Sequence, residues 1–366
     1  MSAPFVLAAG GTGGHLFPAE ALAVELLRHG RDVHLVTDAR AEGFGERAAD
    51  VAVHHIRAGR LGLRGTAEVA AGVLAARRIL RRLAPAAVVG FGGYPSLPTM
   101  LAAISLRLPT VVHEQNAVLG RVNRLLAPWV GRIATGFPTV ERLRRADHAR
   151  AIHTGNPVRP AILARADTAY RAPAPDEPVE LLVLGGSQGA RALSEVVPPA
   201  LTALPRALQQ RLRVSQQARP EDLAGVADAY AQSGIAAEIR SFFTDVPARL
   251  ERAHLLICRA GASTVAELAA VGRPALLIPY PHATDDHQTA NARAVAAAGG
   301  GWVLPQATLR VADLAARFLS LCDDPAGLAE AARRARGFGS RDATERLALL
   351  AIDGAKGAAV PEGCAA

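Results

Sequence analysis

The sequence predicts an α/β protein built from two doubly wound parallel-sheet domains. Short aliphatic and β-branched runs alternate with alanine- and leucine-rich segments of helical length, the pattern of strand–helix–strand units that assemble parallel sheets. The alternation breaks once, at the proline-rich stretch 165–178, RADTAYRAPAPDEP, and then begins again. Each half opens with a strand that runs directly into a glycine-rich loop.

In the first half the strand candidates are Phe5–Ala9, Val33–Thr37, Val51–His55, Ala87–Gly90, Thr110–His113 and Arg132–Ala134. Helical segments such as Pro18–Arg28 and Thr66–Leu83 lie between them, with apolar residues at helical spacing. The second half repeats the pattern with Glu180–Leu184, Ile235–Arg240, Leu255–Cys258 and Ala275–Pro279. The expected division is a first domain over 1–164, a linker over 165–178 and a second domain over 179–338. A last helix over 339–353 is expected to pack back on the first domain, followed by an unstructured tail over 354–366. In open parallel sheets ligands bind beyond the carboxyl ends of the strands, so function is sought in the loops there, facing a cleft between the domains.

Composition narrows the class. Half of the 366 residues are hydrophobic and 20% are charged, which suits folded domains. The N-terminus MSAPFVLAAGGTGGH has no basic start and breaks into glycines after a short apolar run, so it reads as a first strand rather than a signal peptide. No run approaches the roughly 20 apolar residues of a spanning helix, and a soluble or peripheral protein is expected. Cys258, Cys322 and Cys364 are far apart in sequence and suggest neither a disulfide framework nor a zinc site. The net charge of +8 points to an anionic partner. With 4% aromatic residues and no recognisable nucleic-acid motif, nucleic acid is not expected to be that partner.

Three glycine loops occupy the same structural position. Gly10-Gly11-Thr12-Gly13-Gly14-His15, Gly90-Phe91-Gly92-Gly93-Tyr94 and Gly185-Gly186-Ser187-Gln188-Gly189 each follow a strand and precede a helix. Glycine lets backbone N–H groups approach a ligand, and the helix start adds about half a positive charge. Any one of these loops could be only a tight turn; three together favour phosphate binding. A Walker-type loop is excluded, because it needs a lysine there and Lys356 is the only lysine. The dinucleotide fingerprint fails at Leu16, where its third glycine belongs, although Asp38 stands where a ribose-binding acid would.

Other polar groups cluster at predicted strand ends. His113-Glu114-Gln115-Asn116 follows an apolar run, and Thr154–Arg159, TGNPVR, places an arginine near the domain junction. In the second half Cys258–Glu267, CRAGASTVAE, reads as strand, small-residue turn and helix start. Glu267 stands about one turn in, on a helix face outside the core, where it could accept from ribose hydroxyls or simply favour the helix dipole. Asp285-Asp286-His287-Gln288 is either a capping loop or a clamp on sugar hydroxyls. No D-x-D triplet occurs, and His54 and His55 point to opposite faces of a strand, so neither a metal nor another cofactor is expected. Leaving-group charge would then fall to helix dipoles and arginine.

Taken in order, GGTGGH, GFGGYPS, HEQN, TGNPVR, GGSQGA, CRAGASTVAEL and DDHQTANA resemble the motifs of the MurG family, over roughly Phe5 to Ala298. The resemblance implies a GT-B fold and inverting transfer of N-acetylglucosamine from UDP-N-acetylglucosamine to lipid I, giving lipid II, on the cytoplasmic face of the bacterial inner membrane. It implies donor contacts from Thr12, Gly13, Gly14, Asn116, Arg159, Ser187, Gln188, Phe243, the segment Ala262, Ser263, Thr264, Val265, Ala266 and Glu267, and Gln288. Acceptor contacts are assigned to Gly92, Gly93 and Tyr94. The sequence departs from the family pattern at Pro95, at His287 and at Phe243, the position whose backbone faces the uracil. His15, at a helix start where the dipole disfavours an imidazolium, is the leading general base, with Glu114 the second candidate.

A lipid-linked acceptor also requires the enzyme to reach a membrane surface. In the segment 61–83, Val69, Val73, Ala76, Leu80 and Leu83 follow helical spacing and are expected to pack on the sheet. That leaves Arg77, Arg78, Arg81 and Arg82 exposed, with Leu61, Leu63 and Arg64 just ahead, a combination suited to an anionic leaflet.

Overall fold

The computed structural model describes residues 3–10, 13–38, 51–59, 63–186 and 189–356, with side chains excepted at 13, 63, 64 and 356. Along the chain these form β1 (Phe5–Ala8), α1 (Gly13–Arg28), β2 (Val33–Thr37), β3 (Ala52–His55), α2 (Leu63–Leu83), β4 (Ala87–Gly90), α3 (Gly93–Ser105), β5 (Thr110–Glu114), α4 (Arg121–Leu126), β6 (Arg132–Thr135), β7 (Ala151–His153) and α5 (Pro160–Leu163). The second half gives β8 (Val179–Leu184), α6 (Arg191–Thr202), α7 (Arg206–Arg211), β9 (Leu212–Gln217), α8 (Leu223–Ser233), β10 (Ala236–Arg240), α9 (Val246–Arg252), β11 (Leu255–Cys258), α10 (Ala262–Val271), β12 (Ala275–Leu277), α11 (His287–Ala297) and β13 (Gly301–Val303). Helices α12 (Val311–Cys322), α13 (Pro325–Phe338) and α14 (Ala343–Lys356) complete the chain.

The first sheet has the order β3-β2-β1-β4-β5-β6-β7 and the second β10-β9-β8-β11-β12-β13. Their ladders are all parallel. Parallel strands need helical crossovers, and helices on both faces bury the central strands. Every residue of β1, β4, β5 and β11 is accordingly buried, which is why these segments read as unbroken apolar runs. In each sheet the order reverses once, between β1 and β4 and between β8 and β11.

The chain divides into two compact units, residues 1–159 with 341–366, and residues 160–340. This corrects the expected linker. The stretch 165–178 packs within the second unit: Tyr170 and Ala172 lie on its core, the Tyr170 hydroxyl donates to the His254 carbonyl at 2.9 Å, and Arg165 and Thr168 both hold Glu251 at 2.6 Å. The prolines there end regular structure, and side chains on either side anchor the stretch to the second unit. Arg273 is another anchor, almost fully buried and donating to the carbonyls of Leu250, Glu251, Val271 and Gly272 at the ends of α9 and α10.

Helix α14 belongs to the first unit, where Leu347, Ala348, Ala351 and Ile352 join the core formed by α1 and the central strands. It continues through Lys356, so residues 354–356 are helical rather than tail. The two tryptophans divide between the units, Trp129 in the first and Trp302 in the second. Leu347→Ala removes a fully buried side chain and should cost the first unit roughly 3 kcal/mol. In denaturant titrations of single-tryptophan variants, the Trp129 transition should move to lower denaturant and the Trp302 transition should hold; movement of the Trp302 transition alone would contradict this packing.

Candidate active site

Both sheets place their glycine loops on the two strands that flank the reversal of strand order, the position where such sheets bind ligands. In the first unit Gly10 follows β1 and Gly92 follows β4, at the same level, since Ala8 is in register with Gly90. The loops touch: a Cβ on Gly10 would lie 2.7 Å from Pro95 Cβ and 2.9 Å from Thr37 Oγ1. Pro95, a departure from the family pattern, thus fills the space that Gly10 leaves open. Gly92 and Gly93 adopt φ values of +78° and +68°, a left-handed turn that glycine makes without strain and that aims the start of α3 outward. Tyr94, half-buried, follows in the first turn of that helix.

His15 lies in the first turn of α1, with its Cδ2–Nε2 edge 3.2 Å from where a Cβ on Gly93 would be. Its Nδ1 lies 3.3 Å from Gln115 Oε1. The Gln115 amide nitrogen lies 3.0 Å from the Phe91 carbonyl, 3.1 Å from the His113 carbonyl and 3.1 Å from His113 Nδ1. His113 Nε2 in turn lies 3.2 Å from the Gly155 carbonyl. Four separate loops therefore share one buried polar network, and sequence reading had singled out none of its connections.

Glu114 is 2% exposed. Its Oε1 accepts from the Asn116 backbone at 3.0 Å and side chain at 3.2 Å; its Oε2 accepts from the Gly120 N–H at 2.8 Å and Asn123 Nδ2 at 2.9 Å. Four donors on two oxygens make this carboxylate the staple that folds the loop into α4. Asn156 is buried, donating to the Gln115 carbonyl at 2.8 Å, and a side chain at Gly136 would collide with it at 2.3 Å. The Arg159 guanidinium carbon stands 5.3 Å from the centre of the Phe17 ring on α1. Gly14 is exposed; Thr12 lies outside the described residues and Gly13 is described in backbone only.

In the second unit, Gly186 and Gly189 have φ values of +85° and +69°, and a Cβ on Gly189 would lie 2.6 Å from Arg219 Cγ. Ser187 and Gln188 lie outside the described residues. Beyond β11, Gly261 is the N-cap of α10 and has no side chain to satisfy the first N–H groups. Ala262, Ser263, Thr264, Val265 and Ala266 form the opening turns, and the Ser263 hydroxyl is buried with no protein partner among the described residues. Glu267 is 9% exposed, which corrects its expected place outside the core. Gln288 Oε1 accepts from the backbone N–H of Ala260 at 3.2 Å and of Tyr280 at 3.0 Å, tying the loops after β11 and β12 together. Arg259, missed in the sequence, is buried there and donates to the carbonyls of Ile278 and Pro279 and to Gln306 Oε1 at 3.0, 3.1 and 2.7 Å. Phe243 is buried beneath the Arg249 guanidinium at 4.0 Å, while its neighbour Phe242 is 67% exposed. Ahead of α11, Asp285 and Asp286 both take left-handed backbone angles, φ +56° and +55°, and Thr289 caps back onto Asp286 at 2.6 Å.

Helix α2 departs from expectation on one face. Ala76 and Leu80 are buried, but Val69 and Val73, with Ala70 and Leu74, line an apolar groove of about 490 Å³ against Leu97 and Leu101 of α3 instead of packing on the sheet. Leu74 is 58% exposed. Arg78, Arg81 and Arg82 are exposed, whereas Arg77 is half-buried and bound to the Ser105 hydroxyl. Leu61 lies outside the described residues, and the side chains of Leu63 and Arg64 are not described. His54 also has a partner across the sheet: its Nε2 lies 3.0 Å from His34 Nδ1, with both rings held below the usual histidine range by burial. Among the described residues no group of three or more His, Cys, Asp or Glu could hold a metal ion.

The two halves are those of a nucleotide-sugar transferase of the GT-B type. Residues 5–135 match the glycosyltransferase family 28 N-terminal domain and residues 180–347 its C-terminal domain. A relative from Rhodospirillum centenum, named UDP-N-acetylglucosamine–N-acetylmuramyl-(pentapeptide) pyrophosphoryl-undecaprenol N-acetylglucosamine transferase, is 56% identical over 94% of this chain and 93% of its own. One of the same name from Rhizobium meliloti is 48% identical over 97% and 96%. The crystal structure of Acinetobacter baumannii MurG superposes with a TM-score of 0.79 at 31% identity, covering 96% of this chain and 99% of that one. A UDP-GlcNAc 2-epimerase from Neisseria meningitidis, at 13% identity and a TM-score of 0.66, shares the fold alone. The chain belongs to the MurG family of N-acetylglucosaminyltransferases.

Complete burial lowers the His113 pKa from 6.5 to about 4, outweighing its bond to the Gly155 carbonyl, which raises it; the nearby His15 lowers it further. The unfolded chain therefore binds this proton more readily than the folded one. The neutral ring's contribution is complete above pH 6.5 and is lost as pH falls from 6.5 to 4, an effect on the order of 3 kcal/mol. Unfolding free energies measured over that interval should fall less steeply for His113→Gln than for the parent protein; parallel slopes would contradict a buried neutral ring.

Proposed function

We propose that the chain transfers N-acetylglucosamine from UDP-N-acetylglucosamine to the C4 hydroxyl of undecaprenyl-pyrophosphoryl-N-acetylmuramyl-pentapeptide, converting lipid I to lipid II with inversion at the anomeric carbon. The observation that carries this reading is identity of about half over nearly the full length of relatives bearing that activity in their names. His15 is the general base: its ring stands in the first turn of α1, and its Nε2 edge faces the Gly93 loop assigned to the acceptor. Glu114 is set aside as base, since both its oxygens already accept two donors each. It positions Asn116 instead.

The second unit holds the donor. The amides that open α10, with the buried Ser263 hydroxyl, take the diphosphate and its growing charge. Glu267 accepts from the ribose, the backbone at Phe243 meets the uracil, and Gln288 fixes the loop that carries the sugar. In the first unit, Arg159, Asn116 and the first glycine loop are the residues proposed to contact the donor. No metal is required. In an assay with EDTA present, labelled sugar should pass from UDP-N-acetylglucosamine to a lipid I analogue. His15→Ala should lower kcat on the order of 10²-fold or more, while Glu114→Gln should act mainly through stability. Full turnover in His15→Ala beside a dead but folded Glu114→Gln would reverse the assignment.

We further propose peripheral docking at the cytoplasmic face of the inner membrane through α2. Arg78, Arg81 and Arg82 approach the anionic leaflet, each contributing about 1 kcal/mol, while Leu74 and the apolar groove meet the acyl region. Binding to anionic vesicles should weaken steeply with salt. Reversing those three arginines to glutamate, and leaving Arg77 on Ser105, should abolish it while sparing turnover of a short-chain soluble acceptor. Equal binding to neutral and anionic vesicles would remove α2 from this role.

A further inference from the structure

The side-chain amide of Gln115 has one possible orientation. The backbone carbonyls of Phe91 and His113 lie 3.0 and 3.1 Å from one of its two polar atoms. A carbonyl only accepts, so that atom must be the amide nitrogen. His113 agrees with this. Its Nε2 faces the Gly155 carbonyl at 3.2 Å and must carry the proton, so its Nδ1 holds a lone pair 3.1 Å from the Gln115 nitrogen, whose two N–H groups are shared between this lone pair and the two carbonyls. Burial keeps that ring neutral, with its pKa pushed down to about 4, so it cannot present a second proton to Gln115.

With the amide nitrogen committed inward, Oε1 is the atom turned to His15 Nδ1 at 3.3 Å. An amide oxygen has no proton to give, so Nδ1 must be the protonated nitrogen of a neutral His15. Its lone pair then sits on Nε2, the atom on the edge facing Gly93. An imidazole in water favours the opposite tautomer, with the proton on Nε2, which could not accept from a hydroxyl on that side. The 3.3 Å separation is at the long end for such a bond, as catalytic hydrogen bonds often are without substrate.

We infer that Gln115 is a positioning residue that selects the Nδ1–H tautomer of His15, through the fixed chain Gly155 carbonyl, His113, Gln115, His15, and so makes Nε2 the proton acceptor. This deepens the reading of His15 as base and rests on it for its catalytic consequence. The proton balance is simple: as the acceptor oxygen forms its bond to the anomeric carbon and the bond to UDP breaks, the hydroxyl proton passes to Nε2. The resulting imidazolium keeps its Nδ1–H on the Gln115 oxygen, so no proton has to leave the network.

The direct test is ¹⁵N NMR of the full-length protein labelled in histidine, with the His15 ring assigned by its loss in His15→Ala. The expected result is a neutral ring protonated at Nδ1 and bare at Nε2; protonation at Nε2 would overturn the inference. That reading needs no turnover, so it stands apart from the function: an Nδ1–H ring together with full activity in His15→Ala would sink the base assignment and leave the tautomer intact. One variant adds kinetics. Gln115→Met, of similar shape but with only a weakly accepting sulfur, should release the ring toward the Nε2–H form and lower kcat at least about tenfold, as a wrong tautomer does in other histidine bases, with KM for UDP-N-acetylglucosamine unchanged. Retained kcat in the folded Met variant would contradict the role.

Discussion

Buried polar groups must find partners, and that requirement shapes the first unit more than any single apolar contact. The Gln115 amide, the His113 ring, the Glu114 carboxylate and the Asn156 amide are all nearly out of water, where an unpaired group costs about 1–3 kcal/mol. Three are met by an atom from another loop, Gln115 by Phe91 and His15, His113 by Gly155 and Asn156 by the Gln115 carbonyl, while Glu114 is met by Gly120 and Asn123 of the segment that follows it. The loops cannot move singly without orphaning one of these groups. A parallel sheet delivers the loops to one edge because all its strands point the same way, and the polar network then fixes their spacing. The glycines at 10, 92 and 93 admit that closeness, since a side chain at Gly10 would strike Pro95 and one at Gly93 would crowd His15.

The second unit solves a different problem with the same topology. The diphosphate proposed to bind and leave here needs positive potential. The loop after β11 has Gly261 as a cap without a side chain, then a helix whose first amides receive no side-chain cap. Arg259 and Gln288 hold that loop from beneath, one through its guanidinium and the other through its amide oxygen. Arg259 is buried, and burial pulls its pKa down. Among the described residues its donors face carbonyl oxygens and an amide, and no carboxylate is bonded to it. The positive field at this strand end is therefore larger than the helix alone supplies.

Much of the fold was legible in the sequence, because parallel central strands buried on both faces read as plain apolar runs. The glycine loops were legible for a related reason: a strand followed by glycines and a helix has few other meanings. The network around Gln115 was not. Its members come from residues 15, 91, 113, 115 and 155, and only the strand order brings them together. His34 and His54 were missed likewise, since they meet diagonally across neighbouring strands while His54 and His55 attracted notice as sequence neighbours. The stretch 165–178 misled because proline content marks a break in regular structure, and the aromatic anchor Tyr170 decides where the chain goes. By helical position Glu267 looked outside the core and Arg77 exposed; neighbouring elements cover one and bind the other.

That His15, held by Gln115, is the group that takes the acceptor proton is open to chemical rescue. His15→Gly leaves a ring-sized space beside Gly93 with the rest of the network in place. Added imidazole should restore sugar transfer in that variant with saturation, and the restored rate should follow the neutral fraction of imidazole as pH is varied. Glu114→Ala should show no such recovery with imidazole or formate. Recovery of Glu114→Ala by formate, with His15→Gly indifferent to imidazole, would contradict the account and give the proton to Glu114.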